Sequence, residues 1–336
     1  MTADLPLCCP ACRRSLAAGP EGYRCDGCRR SYPVHFGIPD LRLAPDPRLP
    51  LVEDLRRAER LAAAATRCSF EDLLRLYWEM SPDTPPSAAA RYQRFAMDGE
   101  ERGREALSAI EVRAGGRWRG RAVLEIGCGA GGFLAAARGR FDSLVGVDVA
   151  LRWLVVAQRR LRADGSGTRL VCASADRLPF ADGVFDGAVA LHTVEHTAQP
   201  GAVLAEATRT LRPGGLCYVV TPNRLSLGPE PCVRVLGVGL LPRAVADRYV
   251  RLVTGHPYRH IRLLSAAELR RLARAAGLGA VTVSAPRLAA CELRALSPGA
   301  RRLASLYQRL REIRGLAPLC RLGGPLLEAI AAKPKR

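Results

Sequence analysis

The residues best able to do chemistry in this chain are a run of glycines and two carboxylates. The segment VLEIGCGAGGF places Gly127, Gly129, Gly131 and Gly132 directly after a β-rich run. Glycine reaches positive φ and lets backbone N–H groups come close to a ligand. At the start of a helix such a turn can hold a carboxylate or a phosphate. Asp148 ends the next apolar run, about twenty residues on, where a doubly wound nucleotide-binding fold places an acid for ribose hydroxyls. Asp176 follows the third run, where its carboxylate can accept from the exocyclic amino group of an adenine.

Two further clusters carry ligand-capable side chains. In LHTVEH, His192, Glu195 and His196 fall at the carboxyl end of the fourth apolar run. If a helical turn begins there, the three share one face. Three readings stay open. His192 or His196 acts as general base for a substrate hydroxyl, or the set holds a divalent metal that acidifies a bound oxygen, or His196 only caps a helix. Near the N-terminus, Cys9 and Cys12 form one C-x-x-C pair and Cys25 and Cys28 a second, with twelve residues between them. Two such knuckles supply four thiolates for a tetrahedral zinc ion. The surrounding piece has few large apolar residues, so metal ligation would stabilise it directly and the site would be closed and structural. The other eight of the twelve cysteines are scattered, which reads as reduced thiols and not as a disulfide frame.

These residues need elements to position them. Residues 1–44 read as the zinc ribbon, and Pro45, Pro47 and Pro50 as a linker. Residues 45–118 read as a helical linker and lid. Two helices are expected over 51–80, the second opened by a capping box of Ser69 and Asp72, and one long helix over 87–112, closed by Gly115 and Gly116. Tyr92 and Arg94 on that helix are lid candidates. From 119 to 285 strands and helices alternate. Strands are expected at 122–127, 143–148, 169–173, 185–192, 215–222 and 280–284, with helices from 131, over 150–163 and over 200–211. Ser265 and Glu268 should cap another helix. The alternation predicts an α/β fold: a Rossmann-like, doubly wound, mostly parallel sheet with an N-terminal zinc ribbon and helical additions. Residues 223–264 read as an insertion that covers the substrate, with Arg259 and Arg262 able to hold an acidic group. Residues 286–336 read as a basic helical tail, with two amphipathic helices over 300–332.

The order of motifs from about 120 to 222 resembles the class I S-adenosylmethionine (SAM) dependent methyltransferases, especially their ubiquinone/menaquinone-methyltransferase-like branch. The family's E-x-G-x-G-x-G stands as Glu125, Gly127, Gly129 and Gly131, its second-strand acid as Asp148, its adenine-side acid as Asp176, and its LRPGG turn at 211–215. The resemblance implies that Gly127 and Gly129 pass under the methionine part and ribose of SAM, that Glu125 supports the loop, and that Asp148 binds the ribose diol. It implies further that Asp176 and the Arg177 backbone address adenine, with Val149 and Leu191 among the cofactor-contacting positions. Some relatives carry E-x-x-E-H after the fourth strand and use it for a metal; His192 replaces the first glutamate here. The run YPVHFGIPDL, with Tyr32, Pro33, Gly37, Ile38 and Pro39, resembles the small zinc-ribbon family that activates methyltransferases as a separate subunit.

Composition bounds the rest. The chain has 336 residues, is 48% hydrophobic and carries a formal charge of +19, with lysine only at Lys333 and Lys335. The arginines are scattered and lack interleaved aromatics, which favours solvated faces over a nucleic-acid stripe. No apolar run is long enough for a membrane span. The first residues lack a basic start and an apolar core, so the chain is expected in the cytoplasm. The leading expectation is a SAM-dependent enzyme that methylates a small molecule, most readily at oxygen, in bacterial secondary or envelope metabolism. The alternatives are an rRNA or tRNA methyltransferase using the ribbon and the basic surface, and a non-enzymatic SAM-binding scaffold. The tail could also rest on an anionic membrane.

Overall fold

A computed structural model describes residues 5–82, 84–162 and 167–335. Ala163, the expected end of one helix, and Arg336, the last residue of the expected tail, lie outside the described residues. The chain divides into two compact units, Met1–Asp186 and Gly187–Arg336.

The first unit opens with four short antiparallel strands, β1 (Ala17–Gly19), β2 (Gly22–Arg24), β3 (Ser31–His35) and β4 (Ile38–Pro39), in that order. Few large side chains close this piece: Tyr32, Ile38 and Leu41 are buried beside Cys9 and Cys25. Four helices follow: α1 (Leu51–Ala65), α2 (Phe70–Glu79), α3 (Pro86–Met97) and α4 (Gly99–Ala114). The Ser69–Asp72 capping box forms as expected, and Gly115 closes α4 in the left-handed region at φ 73. Tyr92 stacks on Trp78, with ring centroids 5.4 Å apart.

The long helix expected over 87–112 is two helices, broken at Asp98. The cause is close packing against α5 (Gly132–Ala136). A Cβ on Gly132 would sit 2.5 Å from the Gly99 carbonyl carbon, and one on Gly103 would sit 2.8 Å from Phe133 Cα. The chain turns so that these glycines can meet.

The larger sheet has seven strands. In the first unit β5 (Gly120–Ile126), β6 (Phe141–Asp148) and β7 (Arg169–Cys172) run parallel, with Val123 opposite Leu144 and Val147 opposite Val171. Helix α6 (Leu151–Leu161) connects β6 to β7. Residues 122–126 of β5 are all buried, as expected of a strand covered on both faces. The outer side of β7 is taken by the ribbon's exit, where the Leu41 N–H donates to the Cys172 carbonyl at 2.7 Å.

The second unit carries most of β8 (Phe185–Leu191), then α7 (Pro200–Thr210), β9 (Leu211–Pro222), α8 (Arg243–Thr254) and α9 (Ala266–Ala275). After these come β10 (Gly279–Ser284), α10 (Ala290–Arg294), α11 (Pro298–Leu310), α12 (Ala317–Gly323) and β11 (Leu326–Ala332). Strands β8, β9, β11 and β10 lie side by side in that order, and β11 is antiparallel to both neighbours, with Ala329 opposite Val219 and Val283. This corrects the helical tail: α11 and α12 form, but 326–332 is a strand. LLEAIAA is made of helix formers and shows no alternation, because both its faces are buried. The slot between β9 and β10 decides its conformation. The insertion at 223–264 has its own small core of Val235, Val238, Ala246, Val250 and Tyr258.

Candidate active site

The glycine turn is built by left-handed backbone. Gly127, Gly129 and Gly131 have φ of 71°, 47° and 71°, which a side chain would strain. The Gly127 and Cys128 N–H groups donate to the Val147 carbonyl at 2.7 and 2.9 Å. Gly129 donates to one Asp148 oxygen, and Ala150 to the other, both at 2.9 Å. The expected turn and the expected acid are thus brought together and tied at two adjacent strand tips. A Cβ on Gly129 would meet nothing within 4 Å, so the backbone offers an open cradle. Burial raises the Asp148 carboxyl, and the Ala150 and Gly129 donors oppose that rise.

Glu125 lies beneath the turn, fully buried. Burial pushes its carboxyl well up, opposed by the Leu134 N–H that it accepts, while Oε2 has no hydrogen-bond partner. Asp176 is half-buried. The Arg177 N–H is already held by the Ser174 carbonyl at 3.1 Å, and its side chain is exposed. That donor therefore closes a turn instead of standing open for adenine. The ribbon grips the segment just beyond: Cys8 N–H donates to the Pro179 carbonyl at 2.9 Å, and Arg13 to the Leu178 carbonyl at 2.7 Å.

A buried ion network, absent from the sequence reading, fixes the start of α6. Arg42 pairs with Asp40 at 2.5 Å and Asp54 at 2.7 Å; Arg152 pairs with Asp54 at 2.7 Å and Asp46 at 2.9 Å. Asp54, from α1, also accepts the Leu151 and Arg152 N–H groups at 3.2 and 3.4 Å. It thereby caps α6, whose N-cap residue Ala150 makes no side-chain cap hydrogen bond. Arg42 further donates to the Val149 carbonyl at 2.9 Å. The participants span more than a hundred residues, so no local spacing reveals them.

In the second unit, Leu191 ends β8 half-buried. His192 follows in the left-handed region at φ 54, with its N–H on the Val220 carbonyl at 2.8 Å. Glu195 sits on a short 3₁₀ turn, Val194–His196, and is 1% exposed. Its carboxylate accepts from the Thr221 hydroxyl at 3.0 Å and lies 3.9 Å from His192 Nδ1. At that length the His192 contact is electrostatic and not a hydrogen bond. Thr221 was not singled out from sequence; its place at the end of the fifth strand, beside the fourth, was the available signal. Of the three open readings of His192, Glu195 and His196, the metal reading has no grouping of ligand atoms to support it among the described residues. Among the described residues, one group of three or more His, Cys, Asp or Glu side chains is close enough to share an ion, and it consists of the four ribbon cysteines.

Those four Sγ atoms lie within 4.8 Å of one another, with Cys9–Cys28 at 3.5 Å and Cys12–Cys25 at 3.4 Å. Thiolates about 2.3 Å from a tetrahedral zinc would stand about 3.8 Å apart. The donor set and spacing therefore fit that ion.

A family model described as a methyltransferase domain matches residues 124–219. The chain is 29% identical over 220 residues to the ubiquinone biosynthesis O-methyltransferase of Thiobacillus denitrificans, covering 64% of this chain and 83% of that one. It is 30% identical over 167 residues to the enzyme of the same name from Chromobacterium violaceum, covering 49% of this chain and 67% of that one. A solved SAM-dependent methyltransferase from Mesorhizobium loti aligns with a TM-score of 0.47 at 17% identity, covering 68% of this chain and 97% of that one. The chain belongs to the class I SAM-dependent methyltransferases and is an enzyme of that class. No helix among the described residues is long and apolar enough to cross a membrane.

Proposed function

We propose that this enzyme methylates a hydroxyl oxygen of a small-molecule acceptor, with His192 as general base and Glu195 positioning it, as a step of bacterial secondary or envelope metabolism. The observation that carries the reading is His192 itself. A non-glycine residue in the left-handed region costs about 1–3 kcal/mol and persists where its surroundings demand it. Here the demand is a ring beside a buried carboxylate that Thr221 holds in place. With Nδ1 toward Glu195, we assign the acceptor's proton to Nε2. The relatives named for ubiquinone biosynthesis support a small acceptor over RNA.

SAM, when bound, supplies an electrophilic methyl group. Gly127, Gly129 and Gly131 would pass beneath it, Asp148 would meet the ribose, and Asp176 the adenine, with Val149 and Leu191 beside it. The open face of Gly129 and the adjacent Asp148 tip fit such a ligand. His196 is left without a catalytic role. We assign a structural zinc to Cys9, Cys12, Cys25 and Cys28.

The test uses a panel of hydroxylated small molecules with labelled SAM. His192→Gln should lower kcat by about a hundredfold or more with SAM affinity unchanged by calorimetry; an unchanged kcat overturns the base. Asp148→Ala should weaken SAM by about tenfold or more, and unchanged affinity overturns that assignment. Elemental analysis should find one zinc per chain, lost in Cys9→Ser and Cys28→Ser.

A further inference from the structure

Two guanidinium groups in the second unit share a single carboxylate, and a third lies close enough to be felt. Arg224, just beyond β9, and Arg243, at the start of α8, both reach the same oxygen of Glu268, each at 3.4 Å. That is long for a charge-assisted pair, which settles near 2.7–2.9 Å. Glu268 is already engaged: its other oxygen accepts the Ser265 N–H at 2.8 Å in the capping box of α9. Arg262 makes no ion pair among the described residues. Its Nη1 donates to the Ala198 carbonyl at 3.2 Å, and its buried Nε has no hydrogen-bond partner. The like charges are felt, since burial, followed by Arg262 and then Arg224, holds Arg243 below the usual guanidinium range.

The segments that carry the cluster are tied to the Glu195 turn through the backbone. The Arg262 N–H donates to the carbonyl of Glu195 at 2.6 Å, and Arg224 follows Thr221, the donor to the Glu195 carboxylate, by three residues. Two of the cations and their shared carboxylate are reachable: the Arg224, Arg243 and Glu268 side chains are 30%, 45% and 26% exposed.

We infer that Arg224, Arg243 and Arg262 form an oxyanion-binding subsite for the methyl acceptor, which carries a carboxylate or phosphate apart from the hydroxyl that reacts. This rests on the reading of His192 as the base. An incoming anion would take the two loosely held guanidinium groups from Glu268 and offer a partner to the buried Nε of Arg262. Planar guanidinium forks suit either oxyanion.

The test measures anion binding without SAM, so it stands or falls apart from the base. Inorganic phosphate and benzoate are titrated by calorimetry at constant ionic strength set with chloride. Saturable binding of at least one is expected, weakened about tenfold in Arg243→Gln and in Arg224→Gln. Tighter benzoate marks a carboxylate acceptor, and tighter phosphate a phosphorylated one. Glu268→Gln keeps a residue suited to the capping box but removes the competing charge, so it should bind the anion more tightly. A purely structural role for the arginines predicts no such gain. His192→Gln should bind the anion as the parent does. Absence of saturable binding, or unchanged affinity in the two arginine variants, overturns the subsite. Should Glu268→Gln melt early, the arginine variants alone decide.

Discussion

The two units treat arginine in opposite ways. In the first, Arg42 and Arg152 sit among Asp40, Asp46 and Asp54 at 2.5–2.9 Å, nearly sealed from solvent. Carboxylates outnumber cations, and the surplus charge meets the N-terminus of α6 through Asp54. In the second, Arg224, Arg243 and Arg262 outnumber Glu268 by three to one, and Arg224 and Arg243 stand farther off and face water. The first arrangement is complete and holds a helix start in register with the glycine turn. The second is incomplete and awaits a charge from outside. Pairing ratio, length and burial together separate a structural ion cluster from a ligand site better than a count of charges does.

That contrast can be broken most forcefully at Asp54. Removing one member of a buried network leaves charges without partners and typically costs about 3–5 kcal/mol. Asp54→Ala should therefore lower the unfolding free energy by about that amount in urea titrations, and a loss under about 1 kcal/mol would show the network to be incidental. Glu125 sharpens the comparison from another side, as a buried carboxylate with an oxygen left without a partner. Its carboxyl is raised in the folded state, so the fold binds its proton more tightly than the unfolded chain does. Stability from this group falls as pH rises between the two values. Glu125→Gln should then stabilise the protein at pH 8 by about 1–2 kcal/mol. That gain should shrink as pH falls toward the ordinary glutamate range, followed by thermal melts at several pH values. The smallest effect belongs to the open cluster. Arg243→Gln should change folding stability by no more than about 0.5 kcal/mol, because half-exposed pairs contribute little. A larger loss would place Arg243 with the structural arginines.

Much of this was legible in the chain, and the rest was hidden for identifiable reasons. The glycine turn and Asp148 could be read because a tight turn and a strand tip leave a local fingerprint with fixed spacing. The cysteine pairs were readable for the same reason. The left-handed backbone of His192 was not, since nothing in LHTVEH demands it; it follows from the Val220 contact and the buried Glu195. Strand β11 was missed because burial on both faces erases alternation. The break at Asp98 was missed because its cause, the approach of Gly99 to Gly132, links positions far apart in the chain. Arg42 and Asp54 carry no local signal in the sequence, because their partners lie far along the chain.

The ribbon's contact with β7 has a consequence for handling the protein. Residues 40 and 41 lie along Cys172 and occupy hydrogen-bonding positions that would otherwise stand open. If the proposed zinc holds the cysteine knuckles, chelating it would bare that strand, and bare strands recruit other chains. Metal-stripped preparations should therefore self-associate as concentration rises. Because the ribbon is tethered to the strand it shields, dilution alone cannot remove it.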